Sequence, residues 1–244
     1  MRESIHQLLK DLRFGGISEV LDQVLDQSSK DHWPCDRFLH HLLNEETLYR
    51  QEKALAYRLK RAKLPYNWSL ETFPFDLQPT LNRRMINTLA GLDFIKRATN
   101  LVFIGPPGTG KSGLAIGIMR KALLNGYRCR FYNAQDLMDD LYASLADRST
   151  SKLLNRLVKY DLLLIDELGY LSLKPEQVNA FFKLMEMRYA TKSTIITSNL
   201  AYEEWYQLFK KEQLVKALLD RLRHYCITIE IKGDSLRRPQ ENDD

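Results

Sequence analysis

The period of the apolar positions changes along the chain, and the changes divide it. Near the start they recur at helical spacing: Ile5, Leu8, Leu9 and Leu12, then Val20, Leu21, Val24 and Leu25 beyond Gly15 and Gly16. The glycine pair is expected to separate these two helices. After Pro34 the helical spacing resumes with Phe38, Leu39, Leu42, Leu43, Leu48 and Leu55. Residues 64–79, LPYNWSLETFPFDLQP, lose the period and bring three prolines with Trp68, Phe73 and Phe75. This reads as an extended connector laid against the next domain. A helical stretch over 81–97 follows. Then apolar runs expected to be strands (101–104, 128–132, 161–166, 194–198 and 227–231) alternate with expected helices (from 113, 134–145, 151–159 and 175–190). Short apolar runs without polar alternation are strands buried on both faces, so the pattern predicts an α/β fold with a parallel sheet flanked by helices. The expected organisation is a small all-α domain over 1–65, the connector over 66–80, and an α/β domain over 81–244.

Composition narrows the setting. The 244 residues are 44% hydrophobic, enough for a sizeable core, and the net charge of +5 hints at a polyanionic partner. The three cysteines, Cys35, Cys129 and Cys226, form neither a CxxC nor a zinc-spaced cluster, and read as core thiols of a reducing compartment. The N-terminus has no apolar core of a signal peptide, and no apolar run approaches the roughly 20 residues of a membrane span. A soluble, cytoplasmic protein without a membrane partner is expected.

Chemistry concentrates where the first strand ends. The run Leu101–Ile104 breaks into Gly105, Pro106, Pro107, Gly108, Thr109, Gly110, Lys111 and Ser112, which fills every fixed position of the phosphate-binding loop. Glycines let successive N–H groups wrap an anion, Lys111 supplies charge for the β- and γ-phosphates, and the Ser112 hydroxyl is a ligand for Mg²⁺. ATP with Mg²⁺ is the expected pair. A second constellation, LLLIDE, ends an apolar strand on Asp166 and Glu167. Asp166 is suited to holding Mg²⁺, and Glu167 to orienting or deprotonating the attacking water. That pair separates a hydrolase from a small-molecule kinase, which must keep water out. A third, TIITSN, ends on Asn199; in a parallel sheet its strand should lie beside both others, bringing Asn199 to the γ-phosphate. Within LLDRLRH, Arg221, with Arg223 second, is a candidate to stabilise the γ-phosphate of a neighbouring subunit; a plain surface arginine fits the residues as well.

GPPGTGKS, LLLIDELGYL, IITSNL and LLDRLRH, closing on IKGDSLR, resemble the IstB-type helper ATPases of insertion sequences, AAA+ proteins related to the DnaC-type helicase loaders. The resemblance implies an AAA+ P-loop ATPase that forms a homo-oligomer on double-stranded DNA and recruits or activates a transposase encoded beside it. Asn199 then takes the sensor position and Arg221 the arginine-finger position. Ser112 stands where the family often has Thr. Leu236 stands where an aromatic is usual, leaving the neighbouring Arg237 without a firm γ-phosphate-sensing role. After the last strand the expected chain is too short for a full C-terminal lid, so nucleotide capture is expected to lean on the neighbouring subunit.

Two segments are candidates for DNA contact. Arg50, Lys53, Arg58, Lys60, Arg61 and Lys63 crowd the end of the third helix, with Tyr49, Tyr57 and Tyr66 among them. Arg148, Lys152, Arg156 and Lys159 cluster later in the chain. Either is suited to salt-sensitive backbone contact, and either is equally readable as a solvated helix face. The alternative functions are a DnaC-like helicase loader in replication, and a switch in which ATP only orders an oligomer.

Overall fold

The computed structural model describes residues 2–169 and 171–237. It divides after Tyr57 into two compact units, within a helix rather than at the composition change near residue 65.

The first unit contains α1 (Arg2–Asp11), α2 (Gly15–Lys30) and most of α3 (Cys35–Ala62). Its core is Ile17, Leu21, Val24 and Leu42, with Phe14, Trp33 and Phe38 packed around them. The break between α1 and α2 comes at Arg13, at φ 60°, not at the glycines, which instead open α2. They are needed there for space, because a Cβ on Gly16 would press on the α3 backbone at Glu45 and Glu46. Glu46, 4% exposed, accepts the N–H groups of Gly16 (2.8 Å) and Ile17 (3.1 Å). A carboxylate thus satisfies the positive end of α2. Arg50 donates to the same carboxylate at 2.6 Å and lies over the Phe14 ring.

The second unit is built on a sheet of β1 (Asn100–Ile104), β2 (Cys129–Asn133), β3 (Leu162–Asp166), β4 (Ser193–Ser198) and β5 (Cys226–Glu230). The order is β2-β3-β4-β1-β5 and every pairing is parallel. The strand carrying TIITS therefore lies between the other two motif strands, as expected. Alternate residues along each strand enter different cores. Leu101, Phe103, Leu162, Leu164 and Ile195 pack with α6 (Lys111–Leu124), α4 (Arg83–Ala90) and the short α5 (Asp93–Lys96). Val102, Leu163, Ile165 and Ile196 pack with α7 (Ala134–Ala146), α8 (Thr150–Val158), α9 (Pro175–Arg188), α10 (Trp205–Phe209) and α11 (Glu212–His224). The three central strands, β1, β3 and β4, are buried on both faces, as near-continuous apolar runs require, while the edge strands β2 and β5 are partly exposed.

Three expectations need correcting. The helical stretch over 81–97 is two helices, parted where Leu92 takes φ 67°. Cys35 is exposed at the start of α3, while Cys129 is buried and Cys226 half-buried. The turn and helix over Tyr202–Phe209 were not expected, although Trp205 is fully buried in the α9-side core. Arg188 ties that side together: fully buried, it donates to Thr194 Oγ1 (3.0 Å) and to the carbonyls of Leu157 (2.9 Å), Tyr160 (3.0 Å) and Ser193.

Candidate functional site

Because β1, β3 and β4 run parallel and adjacent, their carboxyl ends deliver three motifs to one edge of the sheet, the usual place for a ligand in such folds. Leaving β1, the loop turns through Gly108 at φ 82° and Gly110 at φ 92°, conformations that L side chains rarely adopt. Gly110 caps α6, whose first-turn N–H groups lack intrahelical partners and face the loop. The Lys111 ammonium is turned back onto the loop's own carbonyls, Gly105 O (2.8 Å) and Pro106 O (2.7 Å). Burial lowers its pKa, against the raising influence of Asp166 and Glu167.

Asp166, at the end of β3, is 7% exposed. Burial raises its pKa, opposed by hydrogen bonds from the Thr197 and Ser112 hydroxyls and by the charge of Lys111. The Thr197 bond measures 2.6 Å. Thr197 also accepts the backbone N–H of Glu167 at 2.9 Å, so one hydroxyl on β4 fixes two consecutive residues of β3's end. Glu167 itself takes φ 60°, a conformation few non-glycine residues hold, and its Oε2 accepts from Asn133 Nδ2 at 3.0 Å. Asn133 ends β2 and caps α7 with its other amide atom. Asn199 follows β4 and lies against Gly169, where a Cβ would collide with its side-chain oxygen.

One cavity of about 660 Å³ is lined by Lys111, Ser112, Glu167, Thr197 and Asn199 together with Trp68 and Phe73 of the connector and Leu236 and Arg237 beyond β5. The volume is in the range of small-ligand sites. Ser112 and Asp166 adjoin as hard oxygen donors, a set suited to Mg²⁺ shared with phosphate oxygens. Among the described residues no cluster of three or more His, Cys, Asp or Glu is placed to hold a metal alone.

Other candidates lie elsewhere. Arg221 does not line this cavity; on α11 it pairs with Glu186 at 3.1 Å, near the Tyr189 ring. The side chain of Arg223, and Tyr170 of the DELGYL run, lie outside the described residues. The two basic segments are partly brought together. Arg61, with Lys152 and Arg156 of α8 and Lys159 just past its end, lines one groove, in which Asp140 and Asp147 also stand. Arg148 stands at the turn before α8, at φ 57°, and is not among the groove's residues. Arg50 is taken up by Glu46 inside the first unit, Lys53 lies over the Tyr49 ring, and Arg58 donates to Leu123 O at 3.1 Å. Lys60 and Lys63 are exposed at the end of α3. No helix of the described residues is long and apolar enough to cross a membrane.

Sequence reasoning assigned no role to Asn133 or Thr197. Asn before a helix signals a cap, but nothing local signals its second bond to a carboxylate on another strand.

Comparison with known proteins places the chain in a family. The family model described as IstB-like ATP binding protein matches residues 7–243. The protein named as the ATP-binding protein of insertion sequence IS5376 in Geobacillus stearothermophilus is 35% identical over 237 residues, spanning 97% of this chain and 94% of that one. The corresponding protein of IS21 in Pseudomonas aeruginosa is 36% identical over 230 residues, spanning 94% and 87%. Among solved structures, the DnaC helicase loader matches with TM-score 0.53 at 23% identity, over 61% of this chain and 87% of that one. AMPPCP-bound DnaA from Aquifex aeolicus matches with TM-score 0.58 at 23% identity, over 70% and 52%. At such identities these two establish a shared fold alone.

Proposed function

The chain belongs to the family of IstB-like ATP-binding proteins, and from that premise we propose that it is an ATPase serving transposition. It binds ATP in the cavity at the sheet edge, assembles with further copies of itself on double-stranded DNA, recruits or activates a transposase encoded alongside, and hydrolyses ATP to reset. The observation that carries this reading is the convergence of Lys111, Ser112, Glu167 and Asn199 on one cavity, with Asp166 hydrogen-bonded to Ser112 beside it.

The proposed roles follow from placement. On binding, the triphosphate takes over the Lys111 ammonium from the loop carbonyls and accepts the free N–H groups at the start of α6. Ser112 and Asp166 would hold Mg²⁺, which supplies charge neutralisation at the β- and γ-phosphates. Glu167, aimed by Thr197 and Asn133, is the group that orients and deprotonates the attacking water, and Asn199 hydrogen-bonds the water or the γ-phosphate. Arg221, absent from its own protomer's cavity and half-buried on α11 beside Glu186, is suited to a neighbour's γ-phosphate. Homologues named for insertion sequences favour transposition over helicase loading, since the likeness to the helicase loader is one of fold. The groove of Arg61, Lys152 and Arg156 is the proposed DNA-backbone contact.

The test is sedimentation of the full chain with duplex DNA, with and without ATP and Mg²⁺, alongside Arg221→Ala and Glu167→Gln. Wild type should assemble only with both ligands, and Arg221→Ala should not. Glu167→Gln should assemble but lose about 100-fold or more in turnover. A monomer unmoved by either ligand refutes the mechanism. In the same assay Lys152→Ala with Arg156→Ala should flatten the salt dependence of DNA binding by about one log unit per lost phosphate contact. An unchanged slope removes the groove from the interface.

A further inference from the structure

Two motif-bearing segments far apart in sequence, FDLQP in the connector and IKGDSLR after β5, are left without a role by the chemistry above. They meet at Gln78. Its side chain is fully buried, and its Nε2 donates to the carbonyl of Asp234 at 2.7 Å across 156 residues of chain. The approach is close enough that a Cβ on Gly233 would run into the Gln78 amide. Beside it, Thr80 Oγ1 accepts the N–H of Lys232 at 3.3 Å.

From this anchor the segment runs over the phosphate loop. At its near end Ile231 N–H donates to Ile104 O at 2.9 Å, and at its far end Leu236 N–H donates to Gly108 O at 2.9 Å. Ser235 packs where a Cβ of Gly108 would be, and Leu236 and Phe73 crowd the same place at Gly110. Leu236 and Arg237 then form part of the cavity wall with Trp68 and Phe73. Gln78 is not among the cavity's residues, yet it holds the segment that reaches both loop and cavity.

We infer that Gln78 is a positioning residue for the nucleotide: by locking residues 232–234 it sets Leu236 on the phosphate loop, so that the connector and the last segment close the cavity within one protomer. The inference rests on reading the cavity as the ATP site. It also revises the expectation that capture without a lid leans on the neighbouring subunit, because a wall from the same chain is already in place. One buried hydrogen bond, of ordinary net worth, orders the segment. Its loss should therefore cost about tenfold in affinity.

The experiment is titration of the full chain with ATP for wild type, Gln78→Met and Lys111→Ala, joined to amide exchange over 232–237 and the melting temperature of each ligand-free protein. Methionine keeps the volume and removes the donor. The expected result is ATP binding by wild type, loss in Lys111→Ala, and about tenfold weaker binding in Gln78→Met. In Gln78→Met the Lys232 and Leu236 amides should exchange faster while the melting temperature falls by only about 2–4 °C, local opening with weaker binding that global destabilisation of that size would not produce. Wild-type affinity in Gln78→Met, with Lys111→Ala inactive in binding, overturns the inference and leaves the ATP site standing. Equal binding by wild type and Lys111→Ala, or none by wild type, overturns the site itself. If Gln78→Met does not fold, Gly233→Ala disturbs the same lock from the other side. Weaker ATP binding in Gly233→Ala then supports the inference, and wild-type binding overturns it.

Discussion

Thr197→Val probes the link that holds both candidate carboxylates. The side chain is 1% exposed, and its hydroxyl donates to Asp166 at 2.6 Å while accepting from the Glu167 N–H at 2.9 Å. Valine keeps the shape and the branching and offers neither bond. Loss of a hydrogen bond to a carboxylate costs about 1.5–3 kcal/mol and loss of a neutral one about 0.5–1.5, so the pair is worth about 2–4.5 kcal/mol. For a domain of this size that is a fall of roughly 5–15 °C in melting temperature. Thr197→Ser keeps the hydroxyl and gives up a methyl group, about 1 kcal/mol. The backbone at Glu167 also loses the restraint that keeps it left-handed, and with it the aim of its carboxylate. Turnover should accordingly fall at least about tenfold further in the valine variant than in the serine one. Thermal melts followed by circular dichroism, and ATP hydrolysis by phosphate release, read the two effects separately. A valine variant that melts and turns over like wild type, or a serine variant as impaired as valine, would refute the reasoning.

Two other perturbations test parts of the architecture the motifs do not reveal. Arg188→Met should destabilise the second unit by about 3–5 kcal/mol in urea titration, because it strips the donor from three carbonyls and a hydroxyl in a dry site; Arg188→Lys should recover little, since an ammonium cannot span that fork of acceptors. Burial raises the Glu46 pKa, but hydrogen bonds from Arg50, Ile17 and Gly16 outweigh it and hold the value below the ordinary 4.5. A depressed carboxylate contributes stability that is present above pH 4.5 and disappears as pH falls through the lowered value. Amide exchange at Gly16 and Ile17 should accelerate over that acidic window in wild type, and be fast and nearly pH-independent, after correction for intrinsic rates, in Glu46→Gln. A wild-type profile in the glutamine variant would show that Glu46 does not cap α2.

The sequence by itself determined the parts whose physics is local. Unbroken apolar runs located the strands and period-3.6 patterns most helices to within a residue or two, since a strand buried on both faces is apolar nearly throughout. The phosphate loop was legible because its glycines, lysine and serine are contiguous, and Asp166 and Glu167 because they terminate such a strand. Even the place of the TIITS strand between the other two followed from the chemistry those strands carry. What tertiary structure alone decided are contacts between residues distant along the chain. Thr197 with Asp166 and Glu167, Asn133 with Glu167, and Gln78 with Asp234 each need a register or a crossing that no local pattern encodes. The same holds for the basic residues: composition made a single cationic face of Arg50 to Lys63, whereas folding spent Arg50 on a buried carboxylate and Arg58 on a helix end, and set Arg61 in a groove with α8. Charge along a helix is a one-dimensional quantity. Which charges stay available to a partner depends on what the rest of the chain sets against them, because a buried acceptor must find its donor before any ligand does.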